Sequence, residues 1–229
     1  MEKLLFGVYP YIALTVFFVG SLIRFDREQY TWKADSTQLL ESELLRKGSL
    51  LFHIGVIALF FGHLAGLVTP HSWFLSLGVS DMAHQIIAIC AGAAFGTICM
   101  MGGVILWKRR MYNPRVKATS RFMDIFILDW ILVTLGVGLL TIPVSIYHAF
   151  SGDASTMVSL ADWAQGILFL SPSSALLNDV GWIYKLHLFL GMTVFLLFPF
   201  TRLVHVWSAP LGYIARPYQI VRTKYVKYH

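Results

Sequence analysis

The stretch FHIGVIALFFGHLAG, Phe52–Gly66, contains two histidines ten residues apart and no other ionisable side chain. Its length and apolar character are typical of a membrane-spanning helix, since about 20 helical residues cross the roughly 30 Å hydrocarbon layer. Ionisable side chains within a span are costly and are usually functional. The two imidazoles therefore raise the question of what this helix binds.

Long apolar runs dominate the rest of the chain. Of its 229 residues, 57% are hydrophobic and 13% are charged, whereas about 25% charged residues are usual in soluble domains. The runs show no period-two alternation, so they predict helices and not the strands of a barrel. We predict an all-α integral membrane protein of one domain, residues 1–229, with a tail at 207–229. Its five transmembrane helices are predicted at about 4–24, 49–69, 82–107, 122–147 and 181–206.

The basic side chains indicate how these helices are oriented. Sixteen of the 18 lysines and arginines follow the first run, the third run or the end of the fifth, and only Lys3 and Lys185 lie elsewhere. Positively charged loops stay cytoplasmic, so the N-terminus is predicted outside (periplasmic) and the C-terminus cytoplasmic. This topology accounts for the pI of about 9.4, and no nucleic-acid partner is expected. Arg24 and Arg27 follow the first run without a small-residue cleavage site, which favours an uncleaved anchor.

Several common cofactor motifs do not occur in the sequence. Cys90 and Cys99, nine residues apart on the third predicted helix, face opposite ways and cannot form a disulfide with each other. The chain has no CxxCH motif, which excludes covalent attachment of a c-type haem. It has neither an HExxH motif nor a Cys/His cluster with zinc spacing.

Four histidines lie inside predicted spans, two on the second helix and two on the fifth. A lone histidine in a span is often only hydrogen-bonded to a neighbouring helix, but two on each of two helices favour a functional site. Because these helices run antiparallel, His53 is expected level with His205 near the cytoplasmic side, and His63 level with His187 near the outer side. Two neutral imidazoles at each level suit two non-covalent bis-histidine b haems. Zinc would require about four ligands at each level.

The spacing of the histidines differs between the two helices, so straight parallel helices cannot bring both pairs level. At about 1.5 Å per residue, the two histidines of the second helix lie about 15 Å apart, and those of the fifth about 27 Å apart. Pro199 is predicted to kink the fifth helix between its histidines, and helix tilt would also help. Nearby glycines either let a flat macrocycle approach or serve ordinary helix packing; they are Gly55, Gly62, Gly66 and Gly191.

Two cations lie close in sequence to the histidines of the fifth helix. Lys185 precedes His187 by two residues, and Arg202 precedes His205 by three. Each is a candidate partner for a haem propionate. Alternatively, each side chain extends along the span to the lipid headgroups.

Four segments point to a known family: YPYIALTVFFVGSLIRFDREQYTW (9–32), LFHIGVIALFFGHLAGLVTPH (51–71), ILWKRRMYNPRVKATS (105–120) and KLHLFLGMTVFLLFPFTRLVHVWS (185–208). They closely resemble the gamma subunit of membrane-bound respiratory nitrate reductase. The resemblance runs along nearly the whole chain, and the four histidines fall where the family's haem ligands fall. The loop 70–82 and the connection 148–180 are less similar.

This resemblance implies a function and a set of partners. The family is a dihaem b-type cytochrome of the bacterial or archaeal cytoplasmic (inner) membrane. It oxidises membrane quinol and passes electrons to an iron–sulfur beta subunit. That subunit feeds a molybdenum-containing alpha subunit on the cytoplasmic face, where nitrate is reduced.

The resemblance also implies a basic residue at the quinol site, near the outer haem. His84 begins the third helix at the level of the outer histidine pair, and an imidazole there can bind a quinol hydroxyl and accept its proton near neutral pH. We therefore expect His84 and Lys185 at the quinol site. The alternative is that His84 is an interfacial histidine in contact with headgroups.

Two basic segments are expected on the cytoplasmic face. The tail GYIARPYQIVRTKYVKYH (212–229) and the connection after Trp107 combine cations with aromatic or apolar residues. Both are expected to dock the iron–sulfur partner, or else to contact anionic lipid.

Other functions remain compatible with the four histidines alone. One is the cytochrome b anchor of another quinone-linked enzyme, such as a formate dehydrogenase, a heterodisulfide-reductase-like complex or a nitrite-oxidising complex. Another is a transporter that uses histidines as proton relays, which predicts acidic residues within spans and paired broken helices. Only Asp129 favours the transporter, and the sequence has no internal repeat.

Overall fold

In the computed structural model, five helices are long and apolar enough to cross a membrane, and the described residues contain no strand. The structure describes residues 1–28, 30, 32, 40 and 42–208. The predicted all-α architecture with five spans is thus confirmed. The direction in which the termini face stays a prediction.

The helices follow one another with short connections. The first span begins with a π-helical turn, Lys3–Val8, and continues as α1, Tyr9–Arg27. The others are α2 (Ser42–Val68), α3 (His71–Ser76), α4 (Asp81–Tyr112), α5 (Pro114–Ala118), α6 (Phe122–Phe150), α7 (Ser155–Leu168) and α8 (Trp182–Leu197). Among the residues 42–208, three segments are 3-10 helices: Ser174–Leu177, Phe198–Phe200 and Arg202–Ser208.

The helix boundaries of α4 and α5 follow from local chemistry. The Ser80 hydroxyl accepts a hydrogen bond from the Ala83 amide at 3.2 Å, which caps the start of α4. Asn113 has an extended backbone because Pro114 follows it, and α4 therefore ends there. The Asn113 side chain accepts hydrogen bonds from the next turn, and Pro114 occupies the first position of α5.

The spans contact one another in the order α2, α4, α6, α8 and α1. The contact between α2 and α4 is close because Gly55 lies against Cys99 and Gly102 lies against Phe52. In contrast, α2 and α8 have hardly any direct packing in the part of the chain that the structure describes. The helices α2 and α8, which bear three of the four span histidines, therefore meet at few points.

The fifth span is shorter than the helix predicted at 181–206. Pro199 lacks an amide hydrogen and cannot continue the α-helical hydrogen bonding. As a result, α8 ends at Leu197, the chain passes through a 3-10 turn, and Thr201 is extended with φ −123° and ψ 179°. The predicted kink is therefore a complete break, and His205 lies on the separate segment Arg202–Ser208.

The connection 148–180 contains a helix that the sequence did not predict. Trp163 of α7 is 2% exposed, and its Nε1 donates a hydrogen bond of 2.8 Å to the carbonyl oxygen of Phe6. Gln165 binds the carbonyl oxygens of Leu67 and Thr69 at the end of α2, at 3.3 and 3.1 Å. The helix α7 thus closes one end of the bundle, here called the α7 end. The opposite end, with α5 and the segment Arg202–Ser208, is the α5 end.

Candidate functional site

The structure brings the four span histidines together in two pairs. The ring centroids of His53 and His205 are 6.3 Å apart, with an interplanar angle of 70°. Those of His63 and His187 are 6.1 Å apart, at 45°. The first pair lies toward the α5 end and the second toward the α7 end. Both pairs join α2 to α8 or to the segment that follows it.

Each of the four rings is anchored through the same atom. The Nδ1 atoms donate to backbone carbonyl oxygens: His53 to Ser49 at 2.7 Å, His63 to Leu59 at 2.7 Å, His187 to Thr134 at 3.1 Å and His205 to Arg202 at 2.6 Å. A carbonyl oxygen only accepts, so Nδ1 is the protonated nitrogen and the Nε2 lone pair of a neutral ring is left for a ligand bond. Metal-binding histidines are typically oriented in this way.

The separation within each pair fits two axial ligands of one iron. With about 2.0 Å from metal to nitrogen and about 1.2 Å from nitrogen to ring centre, two opposed imidazoles have centroids about 6.4 Å apart. Within the described ranges, no three or more His, Cys, Asp or Glu side chains group around a single metal position. The two-histidine sites therefore suit a metal whose other ligands come from a macrocycle, as in haem.

The glycines near the histidines divide into two kinds. A Cβ added at Gly62 or Gly191 would meet no heavy atom within 4 Å, so there is open space beside both positions. Gly55 instead packs on the backbone of α4, and a Cβ at Gly66 would lie 3.5 Å from Nε2 of His84. Gly62 and Gly191 fit the approach of a macrocycle, whereas Gly55 fits ordinary helix packing.

His84 lies in the first turn of α4, at the α7 end, and its imidazole is covered on one face. The ring stacks on Phe74 of α3, with centroids 4.1 Å apart and an interplanar angle of 28°. Nearby, Nδ1 of His71 lies 3.0 Å from a carboxylate oxygen of Asp81. The loop 70–82 thus folds back over His84 and supplies its stacking partner.

Lys185 is engaged elsewhere. Its Nζ lies 2.6 Å from Oε1 of Glu2 and 3.4 Å from the carbonyl oxygen of Asn178. The structure therefore pairs Lys185 with the N-terminal turn and does not bring it together with His84. Among the predicted quinol-site residues, only His84 lies against the connection that follows α2.

Arg202 takes part in a charge cluster that the sequence did not predict. Its Nε lies 3.4 Å from Oδ1 of Asp124, and Nη1 of Arg110 lies 3.7 Å from Oδ2 of the same carboxylate. Arg110 is 8% exposed. The available sequence signal was Asp124 itself, a lone carboxylate in the first turn of an apolar helix that follows a basic connection.

One cavity at the α7 end does not resemble a quinol pocket. It has a volume of about 570 Å³ and is open to the surface. Its lining is mostly small or polar: Ser80, Asp81, Met82, Gly152, Ala154, Ser155, Val158 and Ser159. Sites for small organic ligands are predominantly apolar, so this cavity alone does not identify where quinol binds.

The basic surface at the α5 end is smaller than the sequence suggested. Lys108, Arg115, Lys117 and Arg121 are exposed, but Arg109 and Arg110 are buried. Arg109 donates a hydrogen bond to the carbonyl oxygen of Leu40. The predicted docking tail, 212–229, lies outside the described residues.

Comparison with known proteins identifies relatives along nearly the whole chain. A family model described as "Nitrate reductase gamma subunit" matches residues 2–224. The "Respiratory nitrate reductase 1 gamma chain" of Escherichia coli (strain K12) is 45% identical over 226 residues, 98% of this chain and 99% of that protein. The "Respiratory nitrate reductase 2 gamma chain" of the same organism is 48% identical over 223 residues, 96% of each chain. The "Nitrate reductase gamma chain" of Bacillus subtilis (strain 168) is 36% identical over 222 residues, 97% of this chain and 98% of that one.

Proposed function

The chain belongs to the nitrate reductase gamma subunit family, and we propose that it is the quinol-oxidising dihaem cytochrome b subunit of a respiratory nitrate reductase. As a member of this family it is a subunit of an oxidoreductase complex with a role in electron transfer. The proposal adds which residues bind the redox groups, where electrons enter and where they leave.

The observation that supports the proposal is the arrangement of the two histidine pairs. Two b haems bound there would supply one-electron carriers at two levels of the membrane. His53 and His205 would hold one of them, and His63 and His187 the other. The Nδ1 hydrogen bonds fix each ring so that Nε2 is directed away from its anchoring carbonyl.

The direction of electron flow follows from the predicted topology. We place the α7 end outside and the α5 end on the cytoplasmic side, since most basic residues belong to the latter. The His63–His187 pair is then the outer pair, and the His53–His205 pair is the inner one. Each electron that moves inward across the membrane is worth about 2.3 kcal/mol per 100 mV of membrane potential. Release of quinol protons outside would add to that potential.

Quinol is proposed to react at the α7 end, beside the outer pair. His84 is the candidate hydrogen-bond partner and proton acceptor for a quinol hydroxyl. Its stacking on Phe74 supports a defined position of this imidazole at the α7 end. Lys185 is proposed to act less directly, because its ion pair with Glu2 ties the start of α8 to the N-terminal turn.

The partners are proposed to dock at the α5 end, on the cytoplasmic side. There the exposed cations of the connection between α4 and α6 offer a surface for the iron–sulfur beta subunit, which passes electrons to the molybdenum-containing alpha subunit. Arg202 is proposed as a propionate partner of the inner haem, next to His205. Its backbone carbonyl accepts the hydrogen bond from Nδ1 of His205, and its guanidinium is paired with Asp124.

Haem content tests the proposal. The complex is purified from the membrane, and its partner subunits are identified by mass spectrometry. Haem is measured in the isolated gamma subunit by pyridine haemochrome assay. We expect about two haems per chain, all extractable by acid acetone because no covalent attachment motif is present. One haem or none would overturn the dihaem assignment. Partners other than an iron–sulfur and a molybdenum subunit would contradict the role in nitrate reduction.

A further inference from the structure

One of the four histidines, His187, is hydrogen-bonded to α6, a helix that bears none of the four. We propose that α6 sets the ring orientation of His187, and that Gly138 is a positioning residue for the outer haem site. This inference rests on the proposed function, because it concerns a ligand of a proposed haem. Neither Gly138 nor Thr134 was singled out by the sequence.

The hydrogen bonds of the four rings distinguish His187 from the other three histidines. His53, His63 and His205 each donate to a carbonyl oxygen three or four residues earlier in their own segment. Nδ1 of His187 instead donates to the carbonyl oxygen of Thr134, 53 residues away on α6, at 3.1 Å. The orientation of this ring therefore depends on how α6 is placed against α8.

Gly138 makes this arrangement sterically possible. A Cβ added there would lie 2.7 Å from Cε1 of the His187 ring, 3.2 Å from Nδ1 and 3.3 Å from Nε2. Real Cβ atoms essentially never approach a heavy atom within 3.0 Å. All three atoms belong to one rigid ring, so an alanine would force either the ring to rotate or α6 to move.

Further contacts fix α6 against α8 on either side of this point. Nε1 of Trp130 donates to the carbonyl oxygen of Leu190, at 3.2 Å. On the other side, the hydroxyls of Ser145 on α6 and Tyr184 on α8 are hydrogen-bonded, 2.8 Å apart. Because the backbone is held on both sides of Thr134, the carbonyl oxygen that receives the His187 proton has a defined position.

A change in this contact has a spectroscopic consequence. The hydrogen bond from Nδ1 raises the basicity of the ligand nitrogen, and its loss or lengthening changes the reduction potential of the iron. With a haem held by His63 and His187, rotation of the His187 ring would change the relative orientation of the two imidazoles and hence the g values of a low-spin haem. Only the haem held by His187 should respond.

Two glycine variants of the whole complex test the inference. Gly138→Ala is compared with Gly136→Ala, two residues earlier on α6, where an added Cβ would meet only the terminal carbon of Met100 at an ordinary 3.8 Å. Low-spin EPR spectra and potentiometric titrations are recorded for both haems. We expect Gly138→Ala to shift or remove the signal that His187→Ala abolishes, and to leave the other haem as in the wild type. Gly136→Ala should match the wild type at both haems.

The outcomes separate the two proposals. If the wild type contains two haems and Gly138→Ala changes neither, or changes both equally, the positioning role is wrong while the proposed function stands. If the wild type contains no haem, the proposed function itself fails.

A double variant covers the case in which Gly138→Ala does not assemble. The clash partner is absent in His187→Ala, so adding Gly138→Ala to it should cause no further loss of the inner haem or of thermal stability. If Gly138→Ala lowered inner-haem content or thermal stability as much in the His187→Ala background as in the wild-type background, the alanine at position 138 would act elsewhere than on His187. That result would overturn the inference.

Discussion

Nη1 of Arg24 on α1 donates a hydrogen bond of 2.7 Å to the carbonyl oxygen of Pro199, where the fifth span breaks. The same guanidinium nitrogen lies 2.8 Å from the carbonyl oxygen of Thr201. A break in a span leaves carbonyl groups without helical partners, and such groups are costly in an apolar surrounding. Arg24 satisfies two of them, and the segment bearing His205 begins immediately afterwards.

Replacing Arg24 should therefore weaken the inner site more than the outer one. In Arg24→Leu, two carbonyl groups lose a donor, at a cost of about 1–3 kcal/mol each. We expect a lower melting temperature of the complex. We also expect the haem held by His53 and His205 to be partly lost or to have an altered EPR signal. Arg27→Leu, at an exposed position on the same helix, is the control. Equal effects of the two variants would contradict a specific role for Arg24.

The pairing of the histidines predicts which single substitutions are equivalent. His63→Ala and His187→Ala should each remove the same haem, and His53→Ala and His205→Ala should each remove the other. The reason is that the ring centroids are 6.1 Å apart in the first of these pairs and 6.3 Å apart in the second. Potentiometric titration of the four variants provides the measurement. Matching titrations for His53→Ala and His187→Ala would show that the pairing is wrong.

Asp124 should be a stabilising residue of the α5 end. Its carboxylate is the shared partner of Arg110 and Arg202, and its side chain is 12% exposed. Asp124→Asn would leave two nearby cations without this charge, and removal of one partner of a buried pair costs about 3–5 kcal/mol. We expect haem to be released at a lower temperature than in the wild type. The release is measured as the loss of Soret absorbance on heating. Asp26→Asn, at an exposed position, should melt like the wild type.

Loss of His84 should impair quinol oxidation without loss of haem. His84 is not among the four paired rings, so both haems should stay bound in His84→Ala. A general acid–base group typically contributes about 10²-fold or more to a rate. Quinol-linked nitrate reduction should fall by about that factor, and reduction driven by a soluble dye at the partner subunits should not change.

His71→Ala serves as the matched variant, since His71 is paired with Asp81 at the same end of the bundle. It should retain most quinol-linked activity. A parallel fall in quinol-linked and dye-linked rates for His84→Ala would indicate faulty assembly. An unchanged quinol-linked rate would remove His84 from the mechanism.

The start of α7 should loosen in acid. Hydrogen bonds from the side chain and the amide of Ser155 hold the pKa of the Asp153 carboxyl below its usual range. A carboxyl whose pKa is lowered by folding stabilises the folded state above its unfolded pKa, and this contribution disappears as the pH falls through the lowered value. The protection of the amides in the first turn of α7, measured by hydrogen exchange relative to the intrinsic exchange rate at each pH, should therefore decrease below about pH 4. In Asp153→Asn this added pH dependence should be absent.

The spans and the candidate ligands could be predicted from the sequence because both depend on local properties. A run of about 20 apolar residues is long enough to cross a bilayer whatever surrounds it. A histidine inside such a run is identifiable from its residue type alone. Antiparallel order then predicted which rings share a level, since neighbouring helices in a membrane can only run up or down.

The positions of the cations were harder to predict. Lys185 and Arg202 were predicted as partners of haem propionates from their sequence distance to a histidine. The structure gives each of them a carboxylate neighbour that the sequence did not indicate, Glu2 and Asp124 respectively. A long flexible side chain reaches several turns and several helices. Its partner depends on which carboxylate the fold brings near, and that is not a local property.

The sequence by itself determined the number of spans, their apolar faces and the four histidines, because side-chain chemistry and hydrophobic length act residue by residue. Only the tertiary structure decided that the fifth span breaks completely after Leu197, that Arg24 satisfies the freed carbonyls, and that Thr134 and Gly138 orient His187. Each of these features joins residues distant in the chain. Their contacts follow from the packing of whole helices against one another, and no pattern within a single helix specifies them.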